Sequence, residues 1–229
     1  MTIAHHELSL PEPGKVVRLT IPVVRHPGCF YGQLLKNGSD NCVLNQLNAD
    51  MNLFYGEHTK NTRRPFLPGE VAVAQYSDGK WYRARLIETL EEADPSDDLG
   101  CLQKIRVFFV DYGHVYTVDV LALRGILSRF LELPFQAVEC SLAGLRPPRG
   151  DNVGDWSKAS RETFRTLTAG VDLCAKVIAN LEARLEIELW RAADNGDWRN
   201  MAEELIHLGQ ALASPCKMTS STDNLIMPG

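Results

Sequence analysis

Two short stretches of the 229-residue chain, VAQYSDGKWYRARLIE and IRVFFVDYGHVYTVD, gather Tyr76, Trp81, Tyr82, Phe108, Phe109 and Tyr112 close to turn residues, although aromatics make up 8% of the sequence. Besides packing, aromatic rings have one chemistry to offer. Their faces carry negative quadrupole charge and attract soft, weakly hydrated cations such as methylated ammonium or guanidinium groups, at about 0.5–2 kcal/mol per good contact. Valines and aromatics alternating in a strand also make an ordinary core, so both readings stand at this level. The geometry that favours a cation site is a hairpin. A three-residue turn at Asp78–Lys80 would set Tyr76 across from Tyr82 on one face. Phe109 ends the next strand, and Tyr112 falls at the bend of Asp111-Tyr112-Gly113, where the glycine turns the backbone without steric cost. Phe108 faces opposite to Phe109 and is expected in the core, with Trp81 half-buried. Rings collected at strand ends lie at the mouth of a small barrel, where a guest reaches them.

The elements that would position these rings follow from pattern. Residues 1–14 read as disordered. Val16–Val24 and Cys29–Leu35 are strand-like runs around a His-Pro-Gly turn. A helix follows, capped by Ser39 or Asp40, with Val43, Leu47, Met51 and Phe54 on one face. After a basic, proline-ended linker, the region from Gly69 to Leu133 is all strand: VAVAQY, WYRARLIE, KIRVFFVDYG and VYTVDVL, broken by the acidic loop TLEEADPSDDLG. Four or five short strands over this length predict a small antiparallel barrel. Then come a helix capped by Asp155 with Trp156, Phe164 and Leu167 inward, and strands VDLCAKVIA and ARLEIELW. A last helix has Met201, Leu205, Leu208 and Leu212 inward, and the tail over 214–229 reads as disordered. An isolated strand pair is marginal in water, so the two ends are expected to join into one α+β domain with the barrel inserted. The expected parts are therefore 15–65 and 134–213 as two pieces of that domain, with the barrel over 66–133.

Composition narrows the function classes. A net charge of −5 argues against a protein whose main work is coating nucleic acid, and suits a cationic partner better. The chain shows no apolar run long enough for a membrane span and no secretory start. Six cysteines without CxxC or Cys/His pairing call for neither zinc nor disulfides, and no cofactor is expected.

At the level of motifs, VAVAQYSDGKWYRARLIE, IRVFFVDYGHVYTVDVLALRGI and FLELPFQAVECSL resemble the Tudor domain. The flanking pieces look like the split staphylococcal-nuclease-like, OB-type half of an extended Tudor domain, and the match runs from about Lys15 to Ala213. FFVDYG with FLELPFQA is most similar to the Tudor region of spindle-E-type germline DEAH-box helicases. That resemblance implies a mainly β fold with α+β parts. It also implies a reader of symmetrically dimethylated arginine in Arg-Gly or Arg-Ala repeats of PIWI proteins. The setting it implies is the piRNA pathway of RNA-mediated gene silencing, at cytoplasmic germ granules in spermatogenesis and meiosis. Position by position, the cage walls fall on Tyr76, Tyr82, Phe109 and Tyr112, and a bracing Arg/Asp pair on Arg83 and Asp111. Where the family usually has Asn, this chain has His114, whose neutral imidazole offers one donor and one acceptor to the guanidinium and whose protonated form repels it.

Other classes are weighed on the same residues. The nuclease-like segments show no cluster of carboxylates with arginines, and no phosphate-loop or DEAH signature occurs, so catalysis by this chain is not expected. A parent helicase would hold that activity elsewhere. Weak RNA contact by the OB-type barrel stays open, with Arg18, Arg25, Lys60, Arg63, Arg64, Arg146 and Arg149 as dispersed charge. A scaffold role also stays open. Glu91, Glu92, Asp94, Asp97 and Asp98 would steer an arginine-rich peptide toward the barrel mouth, or form a solvated insertion. Oligomeric state is not legible.

Overall fold

The computed structural model describes residues 8–35, 41–57, 65–90, 103–148, 155–193 and 196–214. The Ser39/Asp40 cap, the acidic residues from Glu91 to Asp98, Lys60, Arg63, Arg64, Arg149, and the ends at 1–7 and 215–229 lie outside the described residues. Two units result: Asn41–Gln136 form one, and Ser9–Asp40 with Ala137–Gly229 form the other.

Strands β1 (Val16–His26) and β2 (Cys29–Leu35) pair antiparallel around Pro27-Gly28. Just before them, in a stretch read as disordered, Gly14 donates its N–H to the Val177 carbonyl at 2.7 Å.

Helix α1 (Cys42–Glu57) belongs to the first unit, so the segment expected to run as one piece over 15–65 divides at Asn41. Its buried residues are Leu44, Met51 and Tyr55, whereas Val43 is 61% exposed. Of the expected face, Met51 is buried and Leu47 and Phe54 are half-buried against the same cluster, so the face is turned only far enough to release Val43 and bring in Leu44 and Tyr55. Apolar residues occupy most sides of this helix, so periodicity leaves its rotation open. Specific bonds settle it. The Tyr55 hydroxyl donates to the Gly125 carbonyl (2.8 Å). Asn52 clamps the Trp81 backbone, accepting from its N–H at 2.7 Å and donating to its carbonyl at 3.1 Å.

The barrel consists of β3 (Val71–Gln75), β4 (Trp81–Leu90), β5 (Lys104–Phe109), β6 (Val115–Asp119) and β7 (Leu123–Gly125), in the order β6-β5-β4-β3-β7. Alternation splits each strand between two cores. Ala72, Ala74, Ala84, Leu86, Ile105, Val107, Phe109, Val118 and Leu123 fill the interior. Val73 and Trp81 face the other way, against Met51 and Tyr55 of α1 and against Phe130. Phe108 therefore lies outside the core and is half-buried, while Phe109 is wholly buried. Trp81 is buried rather than half-buried because α1 covers it.

In the second unit follow β8 (Val138–Leu142), β9 (Leu145–Arg146), α2 (Lys158–Thr168), β10 (Leu173–Leu181), β11 (Arg184–Ala192), β12 (Trp198–Asn200), α3 (Met201–His207) and β13 (Leu212–Ala213). The large sheet runs β10-β1-β2-β8-β11-β12, and β10 also pairs with β11. Five strands thereby close into a ring, the OB-type arrangement. Strands from before and after the Asn41–Gln136 unit are hydrogen-bonded in one sheet, so the smaller barrel is an insertion. The α2 cap is Ser157, whose side chain accepts from Ser160 N–H, not Asp155. Helix α3 is shorter than expected. Gly209 adopts φ +69° and stops it, leaving Leu208 48% exposed and Leu212 on a strand, so Met201, Leu205 and Ala211 are the buried residues.

Candidate functional site

The hairpin between β3 and β4 closes differently from the sequence expectation. Gly79 takes φ +79° and Tyr76 N–H donates to the Lys80 carbonyl, so Ser77–Gly79 make the loop. Gln75 pairs with Trp81 and Ala74 with Tyr82. Tyr76 and Tyr82 are thus diagonal neighbours on one face rather than direct partners, with ring centroids 6.4 Å apart. That diagonal is within aromatic reach. The second turn behaves as expected: Gly113, at φ +88°, and Tyr112 both return N–H groups to the Phe109 carbonyl.

These turns bring the four expected rings together. Tyr76, Tyr82 and Phe109 are nearly mutually perpendicular, at interplanar angles of 80°, 84° and 89°. Tyr112 stands at 84° to Tyr82, with centroids 5.4 Å apart. The three tyrosines are half-buried, each partly open to solvent. Phe109 is not an accessible wall. It is 0% exposed and forms the floor, with the His114 imidazole stacked on it at 4.6 Å and 27°. His114 also lies 5.0 Å from Tyr76 and 6.4 Å from Tyr112. Burial lowers its pKa from the ordinary 6.5, so the ring is neutral at pH 7. Its Nε2 is buried without a partner among the described residues.

Arg83 and Asp111 stand behind the cage. The pair is buried and bidentate, Nε to Oδ2 at 2.8 Å and Nη2 to Oδ1 at 2.5 Å. The remaining guanidinium N–H groups donate to the carbonyls of Phe130, Leu133 and Pro134, and Asp111 also accepts from the Gln136 N–H. The pair fixes the β5–β6 bend relative to β4, and with it Tyr112 relative to Tyr82.

Three contributors escaped the sequence reading. Asp78, in the hairpin loop, accepts from the Tyr82 hydroxyl at 2.8 Å and places a carboxylate at the rim. Burial first, and this hydrogen bond second, push the Tyr82 phenol up from its usual range. Tyr116 on β6 stands 4.9 Å from Tyr76 and extends the apolar wall. Asn48, from α1, donates Nδ2 to the Tyr112 hydroxyl at 2.9 Å. An aspartate within two residues of a cage ring was a usable signal for the first; the other two needed the fold. Of the basic residues weighed for RNA, Arg25 stacks over Tyr31 and Arg146 donates to the Ala213 carbonyl, so both are engaged locally. Among the described residues no group of His, Cys, Asp and Glu could hold a metal ion.

A family model described as the Tudor domain matches residues 12–144. The chain is 33% identical over 183 residues to Tudor domain-containing protein 1 of Danio rerio, which covers 79% of this chain and 14% of that protein; the chain therefore spans a small part of this relative. Among solved structures, the extended Tudor domain TD3 of mouse TDRD1, in complex with a MILI peptide containing dimethylarginine, superposes with a TM-score of 0.77 at 27% identity, covering 92% of this chain and 98% of that one. The extended Tudor domain of BmPAPI in complex with sDMA gives 0.73 at 28% identity, covering 87% and 100%.

Proposed function

The chain belongs to the Tudor family, as an antiparallel barrel inserted in a split OB/staphylococcal-nuclease-like domain, and on that premise we propose that it reads symmetrically dimethylated arginine in Arg-Gly or Arg-Ala peptides. The observation that carries this is the set of three half-buried tyrosines around a buried phenylalanine floor, with the Asp78 carboxylate at the rim. The methylated guanidinium lodges among Tyr76, Tyr82 and Tyr112 above Phe109. Methylation keeps its charge, removes N–H donors that would otherwise need partners, and adds apolar surface for the rings. Neutral His114 offers its unpaired nitrogen to a remaining N–H. The dimethylarginine peptide bound by the mouse TDRD1 domain and the sDMA bound by the BmPAPI domain support this guest. A PIWI-type protein is the partner proposed, and germ granules of the piRNA pathway the place. The role is that of a reader, with no catalytic step assigned.

Titration of one Arg-Gly peptide in unmodified, monomethyl, symmetric and asymmetric dimethyl forms tests the reading. The symmetric form should bind tightest, and Tyr112→Ala should weaken it by about tenfold or more, the loss of one cation–π contact and the ring's apolar surface. Equal binding of all four forms, unaffected by the substitution, would defeat the proposal. Single-stranded RNA binding with a steep salt slope would then put nucleic acid ahead.

A further inference from the structure

Asn48 lies on the inward stripe of α1 between Leu44 and Met51, where an apolar side chain is the rule. Its Nδ2 holds the Tyr112 hydroxyl, but its Oδ1 is buried and has no hydrogen-bond partner among the described residues. Turning the amide over would not help, because two N–H donors would then be buried in place of the oxygen. One turn along, Asn52 grips the Trp81 backbone from both sides, so α1 is held against the strand that carries Tyr82 and cannot slide to relieve its neighbour. His114 Nε2 is a second unpaired buried atom of the same ring cluster. With its proton on Nδ1, His114 presents Nε2 as an acceptor, and the two unpaired atoms, both bordering rings of the cage, suit a cation that brings N–H groups.

We infer that Asn48 is a specificity-determining residue of the cage: its Oδ1 accepts an N–H of the bound methylguanidinium while its Nδ2 holds Tyr112. The inference rests on the methylarginine reading and extends it to a helix outside the barrel. Isomer chemistry gives it content. A symmetric dimethylguanidinium keeps one N–H on each terminal nitrogen. The asymmetric isomer carries both methyls on one nitrogen, which then has no N–H. Asn48 Oδ1 and His114 Nε2, one acceptor for each terminal nitrogen, are both satisfied by the symmetric guest, and one stays orphaned with the asymmetric guest.

Calorimetric titration of the symmetric and asymmetric peptides into wild type, Asn48→Ala, Asn48→Asp and Tyr112→Phe tests this. Asn48→Ala should weaken the symmetric peptide about tenfold and the asymmetric one by no more than about twofold, so the preference collapses. Asn48→Asp keeps the oxygen and should bind the symmetric form at least as tightly as wild type. Tyr112→Phe keeps the ring but removes the hydroxyl that Asn48 holds, and should weaken both isomers by the same factor, leaving their ratio as in wild type. An unchanged isomer ratio in Asn48→Ala, or a collapse of the ratio in Tyr112→Phe equal to that in Asn48→Ala, overturns the inference by reducing Asn48 to a brace for the ring. If wild type shows no methylation dependence at all, the underlying reading falls and this falls with it; if wild type discriminates and Asn48→Ala does so equally, only the role of Asn48 is lost.

Discussion

On one face of the β3–β4 hairpin, Arg83 is fully buried with all five N–H donors engaged, two by Asp111 and three by the carbonyls of Phe130, Leu133 and Pro134. Around the cage rings, Asn48 Oδ1 from α1 and His114 Nε2 are buried and have no such partner among the described residues. The same unit thus completes its polar bonding where it needs rigidity and leaves it incomplete where a guest is expected. A satisfied buried charge holds the fold; an unsatisfied buried acceptor beside aromatic faces marks where a donor is to arrive.

Each side of that contrast can be broken separately. The largest effect is expected on the satisfied side. Arg83→Ala strands the Asp111 carboxylate and three carbonyls, and should cost about 3–5 kcal/mol of stability, read by urea denaturation. A variant as stable as wild type would show the network to be dispensable and the contrast empty. His114 comes next. Its pKa is lowered by burial, so the neutral ring persists through pH 7 and binding should be flat from there upward. Below 6.5, as pH falls through the lowered value, the imidazole gains a charge beside a cationic guest, and affinity should drop with it. Stability falls over the same window, because the unfolded chain binds that proton more readily. His114→Asn should flatten the binding profile; an equally steep profile in that variant would remove His114 from the site. The smallest effect is expected at Asp78, an exposed carboxylate that acts mainly by attraction. Asp78→Asn should weaken binding about two- to fivefold at low salt and less at high salt. A salt-independent loss would point instead to its hydrogen bond with Tyr82.

Much of this was legible in the residues themselves. Tyr76, Tyr82, Phe109 and Tyr112 were assigned to one cluster from turn chemistry and strand alternation, and the rings do converge. The exact pairing was not, because SDGK allows the loop to close one residue earlier or later and only the left-handed conformation of Gly79 decides it. That single shift turns a direct pair into a diagonal one. The rotation of α1 was hidden for a different reason. Val43, Leu47, Met51 and Phe54 form as good a stripe as Leu44, Met51 and Tyr55, and choosing the first leaves Asn48 at its margin. Hydrogen bonds from Asn52 and Tyr55 to distant backbone chose the second, and no local pattern encodes them. Phe108 and Phe109 were told apart in facing but not in fate, since neighbours on a strand do not announce which side is the inside.

The Arg83 hub also fixes where the smaller barrel can be cut free. A fragment stopped at residue 133 keeps the guanidinium but forfeits the Pro134 carbonyl and the Gln136 N–H that complete its bonding with Asp111. Excision, limited proteolysis and grafting onto another scaffold all meet the same boundary: the strands finish at Gly125, but the piece that keeps its shape extends through Gln136.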